Sequence, residues 1–190
     1  LNLLVQVLDQ IDIDVPITCS HSSSMSLLPS RDLSHLADRL AHHQVNVIAL
    51  PITNSWLLGR KSGRTPLQRP LAPIAQLQKA GVRVAIGGDN VQDPWFPGGA
   101  FDPIALMSLS MPLAQLCPWH RVGLAPFTTS AAALMELDWD GTIRIGSPAD
   151  LLLLDAGSWS EALSEPPSRK VMANGVWIND NPIPKNQMRI

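Results

Sequence analysis

The chain has 190 residues, 45% of them hydrophobic, with 14 lysines and arginines against 16 aspartates and glutamates and a formal net charge of −2. That composition permits a sizeable core and excludes global disorder, and the scattered basic residues give no footprint for nucleic acid or for an anionic membrane surface. No apolar run approaches the roughly 20 residues of a membrane helix, no secretory leader is expected, and two cysteines in a chain of this size make a reducing, cytoplasmic setting the expectation.

The opening Leu-Asn-Leu-Leu carries neither an initiator Met nor a capping signal, so an upstream portion is expected. "VPITCSH" (residues 15–21) reads as a short strand with a polar end. "SRDLSHLADRLAHHQ" then sets Leu33, Leu36, Ala37 and Leu40 at helical spacing, with Ser30 as the expected N-cap. "VNVIALP" (45–51) is a nearly continuous apolar run, the pattern of a parallel strand covered on both faces. A polar loop (54–70) leads to a helix over 71–81, where Leu71, Ile74 and Leu77 share a face and Gly81 stops the element. "VRVAIGGD" (82–89) is the third strand. It is followed by a long loop (90–102), an apolar helix that Pro112 is expected to kink, and a helix opened by Thr128 or Thr129.

Three strand-helix units in succession imply a parallel α/β architecture. The last third changes character. "GTIRIGSPADLLLLD" (141–155) and "RKVMANGVWIND" (169–180) read as strands, with Asn174-Gly175 as a two-residue hairpin turn and a Pro-rich tail after Asp180. The expected division is therefore 1–138 for the strand-helix units and 139–190 for a small β subdomain.

In a parallel barrel the chemistry sits at the C-terminal ends of strands and on the loops beyond them. That rule picks out His21 after the first strand, Asn54 after the second, and Asp89 with Asn90 after the third. Each alone reads equally well as a surface turn or a structural polar residue. Their coincidence at one end suits a divalent metal that activates water.

The stretches "CSHSSSM", "ITNSWLLGR", "GGDNVQDPWFPGG" and "GTIRIGSPADLLLLD" together resemble the C-terminal half of the amidohydrolase superfamily, in its cytosine deaminase-like branch. The resemblance implies the C-terminal part of a (β/α)8 barrel with strands of a small flanking β-sandwich. It implies one divalent metal, zinc or iron, and hydrolytic removal of an amino or alkylamino group from a nitrogen heterocycle. On matching positions, Asp89 is the metal-ligand aspartate that also takes a proton from the bound water. His21 stabilises charge on the substrate and relays protons. Asn90 and Trp95, together with Asn54, face the substrate ring. Two positions depart from the branch: Asn90 stands where a second aspartate is usual, and Gly88 where a histidine is usual. An amide both donates and accepts, so Asn90 suits relatives that act on triazine-type rings, N-isopropylammelide amidohydrolase among them. The superfamily's His-x-His pair and its strand-five histidine are not in these 190 residues, and the adjoining His42 and His43 are expected to be solvated at a helix end. A whole barrel takes about 250 residues, which puts roughly 200 residues upstream.

Cys19 and Cys117 show no ligand spacing and read as core thiols, and the loop bearing Arg60, Lys61, Arg64 and Arg69 reads as solvated or as a cover for the substrate. The expected partners are a small heterocyclic substrate and, as an open alternative, further copies of the chain. The rival to an enzyme is a non-catalytic remnant of the same fold acting as a structural or interaction module.

Overall fold

The computed structural model describes residues 1–165 and 167–178, and the chain divides into two compact units, Leu1–Gly141 and Thr142–Ile190. The first unit is mixed α/β. Strands β1 (Thr18–Ser20), β2 (Asn46–Ala49) and β3 (Val84–Ile86) form a parallel sheet in the order β1-β2-β3. Its register pairs Cys19 with Val47 and Ile48 with Ala85. Helices α1 (Asn2–Leu8), α2 (Ser30–His42), α3 (Pro51–Leu57) and α4 (Ile74–Ala80) precede or join the strands, and α5 (Pro103–Ala114), α6 (Arg121–Leu124) and α7 (Thr129–Leu134) follow.

The helical face read for α2 is the buried one. Leu33, Leu36, Ala37 and Leu40 join Val47, Val84, Ile86 and the α4 residues Ile74 and Leu77 in one core. Parallel strands leave both faces to be covered by their crossovers, and for that reason β2 and β3 read as unbroken apolar runs. Gly81 ends α4 at φ 94°, a conformation that glycine adopts without a Cβ penalty.

Several local expectations are corrected. Ser30 is the first residue inside α2; Pro29 is the cap, and no side chain bonds the open amides there. Thr128 precedes α7 without a capping bond, its hydroxyl donating instead to the Leu124 carbonyl. The segment taken as a loop from Asn54 begins inside α3, because Pro51 presets a helical φ at the first turn. Leu71 lies ahead of α4, which starts only after Pro73. Helix α1, unforeseen for want of a cap, buries Val5 and Leu8 on one face.

The adjoining histidines are not both solvated. His43 Nε2 lies 2.7 Å from Asp9 Oδ1, and Arg39 donates to the other oxygen of the same carboxylate. Two residues of the α2 C-terminus thus clasp the end of α1. The second unit is a three-stranded antiparallel sheet, β4 (Leu151–Leu154), β5 (Arg169–Ala173) and β6 (Val176–Ile178), with a short helix α8 (Trp159–Ser164). Asn174 and Gly175 turn the β5–β6 hairpin with φ of 50° and 76°, as a two-residue turn of this type requires. Residues 142–146, expected as a strand, are not in one, and the tail after Asp180 lies outside the described residues.

Hydrogen bonding to His43, reinforced by Arg39, holds the Asp9 carboxyl below its ordinary range against the opposing effect of partial burial. A depressed folded-state pKa contributes stability above the unfolded value and loses it as pH falls through the folded value. Asp9→Asn should therefore lower the melting midpoint near neutral pH, and the deficit should close below about pH 4. Circular-dichroism melts across that range check it, and identical midpoints at neutral pH would contradict the clasp.

Candidate active site

The three parallel strands end side by side, and the chain leaves two of them in a left-handed conformation. His21, just past β1, has φ 64°, and Asp89, past β3, has φ 61°. Non-glycine residues adopt this region only where the surroundings impose it, at a cost of order 1–3 kcal/mol each. Both side chains are exposed. With β2 between them, their backbones stand about 10 Å apart, two strand spacings.

The residues that hold both loops come from α3. Asn54, 3% exposed, accepts a hydrogen bond from Ser23 Oγ at 2.9 Å and donates from Nδ2 to His21 Nδ1 at 2.9 Å. With the amide this way round, His21 Nδ1 is an acceptor, and the neutral ring carries its proton on Nε2, the free nitrogen. The neighbouring residue, Thr53, is fully buried. Its hydroxyl donates to the Gly88 carbonyl at 3.4 Å and accepts from the Asn90 amide at 3.3 Å, bracketing Asp89 on both sides.

Past Asp89, a second polar knot orders the loop. Asp93 accepts from Asn90 Nδ2 at 2.6 Å and from the amides of Phe96 and Trp95 at 2.8 and 2.9 Å. The Asn90 bond above all, opposed by partial burial and aided by the two amides, keeps the Asp93 carboxyl below its ordinary range. Asn90 is left with its carbonyl oxygen and one N–H unspent. It lines a mostly apolar cavity of about 240 Å³ with Gly88, Ile52, Phe96 and Leu109. Phe96 forms this wall, whereas Trp95 is 63% exposed and is not among the lining residues. The glycine pair at 87–88 has two different causes. A Cβ on Gly87 would press Leu50 at 3.0 Å, while one on Gly88 would meet nothing within 4 Å. Close packing of a neighbour thus bears on Gly87 alone.

Among the described residues no group of three or more His, Cys, Asp or Glu side chains could hold a metal ion. The strand ends offer one carboxylate and one imidazole, whereas a catalytic zinc takes three protein ligands. The donor set present here is therefore partial. Cys19 packs against the main core, and burial pushes its thiol up, away from thiolate chemistry. No helix of the described residues is long and apolar enough to cross a membrane.

The sequence profile of the amidohydrolase family matches residues 7–183, and the chain belongs to that family. It is 31% identical over 168 residues to a pterin deaminase of Rhizobium rhizogenes, across 88% of this chain and 38% of that protein. Among solved structures it superposes on 5-methylcytosine deaminase from Klebsiella pneumoniae with a TM-score of 0.73 and 26% identity, over 85% of this chain and 40% of that one. N-isopropylammelide isopropylaminohydrolase from Burkholderia multivorans gives 0.72 and 25%, over 93% and 42%. The chain thus spans about two fifths of the length of these relatives. The superfamily generally uses a divalent metal.

Three site residues escaped the sequence reading. Thr53 and Ser23 looked like ordinary polar residues, and Phe96 was passed over for its neighbour Trp95. The signal for Thr53 lay in its helical context, since a polar residue in a short buried helix needs a partner.

Thr53→Val keeps the shape and removes both bonds. It should cost about 1–3 kcal/mol and speed hydrogen exchange at the Asn90 amide. Asn54→Ala should lower the Nε2–H share of the neutral His21 ring toward that of a free imidazole, read by long-range proton–nitrogen NMR. An unchanged tautomer would show that Asn54 does not set it.

Proposed function

We propose that this chain is part of a metal-dependent amidohydrolase that removes an amino or alkylamino group from a nitrogen heterocycle. The observation that carries the reading is the placing of His21 and Asp89 at the same end of the sheet, past β1 and β3 on either side of β2, beside a cavity walled by Asn90. The similarity to enzymes named for pterin, methylcytosine and N-isopropylammelide supports it and narrows the substrate to a flat, nitrogen-rich ring. Within this proposal, residues 1–138 contribute strand-helix units of a (β/α)8 barrel, and residues 139–190 contribute strands of a flanking β-sandwich.

The overall change is hydrolytic. Water adds its oxygen to the ring carbon, the C–N bond breaks, and the nitrogen leaves as ammonia or an alkylamine after taking up a proton. Asp89 accepts the proton given up by the attacking water. His21, presenting Nε2–H because Asn54 occupies Nδ1, donates toward the charge that develops on the substrate. Asn90, its Nδ2 turned to Asp93, offers its carbonyl oxygen and remaining N–H to a ring edge. Trp95 stands at the rim as a cover for the ring. A divalent ion, zinc or iron, would lower the pKa of the attacking water. Asp89 is one donor to it, and the other donors are not among the described residues.

A non-catalytic module of the same fold is the second reading, and the partial donor set favours it. Release of ammonia or amine from pyrimidine, pterin and triazine rings by the purified protein, with bound metal and intact mass measured on the same sample, separates the two. On the enzyme reading Asp89→Ala and His21→Ala each lower kcat/KM by about 10²–10⁴ and leave the fold intact by circular dichroism. No metal and no release from any ring would sink it.

A further inference from the structure

A second hollow, of about 380 Å³, shares Ile52, Phe96 and Leu109 with the Asn90 cavity and adds Trp56, Arg60 and Arg69 to its lining. Its volume falls within the range of small-molecule sites. Two cations at a hollow whose other lining, Ser55 aside, is apolar call for an explanation.

They stand at the base of a closed loop. Residues 60–69 contain Arg60, Lys61, Arg64 and Arg69 and no acid. Gly59, at φ 70°, sits so close to the Gln68 carbonyl that a Cβ there would collide with it, and this contact pinches the neck. At the tip, Lys61 and Arg64 pair across the turn at Gly63. Compact loops of this kind, closed at the neck, commonly carry function. Among the described residues neither Arg60 nor Arg69 has a carboxylate partner.

Arg60 is exposed, as a loop arginine ordinarily is, but it lies over an aromatic ring. Its guanidinium lies 4.7 Å from the centre of the Trp56 ring, and Trp56 is itself set edge-to-face on Phe96, 6.1 Å between centres. A guanidinium stacked on an indole loses rotamer freedom and keeps its in-plane N–H groups open, the arrangement that suits a carboxylate. The apolar wall of Phe96 and Leu113 suits a flat ring, and its low polarity strengthens an ionic contact at the rim.

We propose that this hollow is an anion-selecting annex of the heterocycle site. It takes the carboxylate-bearing side of a flat heteroaromatic ligand, with Arg60 and Arg69 gripping the acid and the ring lying against Phe96. The proposal rests on the heterocycle reading above and adds to it a preference for acidic rings.

Equilibrium dialysis of the whole protein tests it, with quinaldate, a flat heteroaromatic carboxylate, set against quinoline, the same ring without the acid. Wild type should bind quinaldate at least about tenfold more tightly, and added salt should shrink that preference. Arg60→Gln and Arg69→Gln should each erode it by about tenfold and leave quinoline binding unchanged. Equal binding of the two rings, no binding of either, or a preference that survives the double substitution would overturn the annex. Release of ammonia from neutral rings is scored separately. Turnover without the acid preference sinks the annex and leaves the enzyme, and the preference without turnover does the reverse.

Discussion

Two consecutive side chains of α3 hold the site in place. Thr53 and Asn54 are both buried, and they reach in opposite directions, Asn54 to His21 beyond β1 and Thr53 to the loop around Asp89 beyond β3. A parallel sheet brings the ends of its strands together but does not determine what the chain does after them. The first loop leaves in a left-handed turn at His21 and Ser22, and the last leaves in one at Asp89. Backbone of that sort relaxes unless something pins it. The pins come from α3, the helix after the middle strand. Burial gives these hydrogen bonds their weight, since a buried polar group left unpaired costs more than a pair gains.

The frame of the first unit was legible because it rests on periodicity. The α2 stripe, the apolar runs of β2 and β3 and the glycine ending α4 each state their environment in the residue pattern. The hairpin at Asn174-Gly175 was legible for a different reason, as few other dipeptides accept two positive φ angles. Legibility failed where a residue's partner lies far away in the chain. His43 looked like half of a solvated pair, because its partner Asp9 belongs to a helix with no start signal. Asn54 was singled out as a residue beyond a strand end. Its position inside a helix, and with it the role of Thr53, depended on Pro51 starting a turn that spacing alone does not distinguish from a loop.

The choice between Trp95 and Phe96 shows the same limit at the scale of one residue. Trp95 is the larger ring and drew attention for that reason. The Asp93 carboxylate caps the turn by accepting both amides, and the turn then sends the two side chains different ways. Gly98 and Gly99 lie against the Phe96 ring, and a Cβ on either would come within 3.2 Å of it. A sequence reader sees two glycines after an aromatic pair. The fold uses them to seat one member of the pair.

The two glycines before Asp89 carry the last step. A Cβ on Gly87 would press the Leu50 side chain, so packing accounts for a small residue there without a ligand. Gly88 is under no such pressure. It lines the Asn90 cavity, and a Cβ there would meet nothing within 4 Å. What Gly88 provides is therefore volume, next to an amide that spends one N–H on Asp93. A histidine at 88 and a carboxylate at 90 would make a smaller and more acidic pocket. Glycine and asparagine leave out that bulk and that second carboxylate, so the acid nearest the Asn90 amide is Asp93 at 2.6 Å, and the cations Arg60 and Arg69 line the neighbouring hollow that shares Phe96.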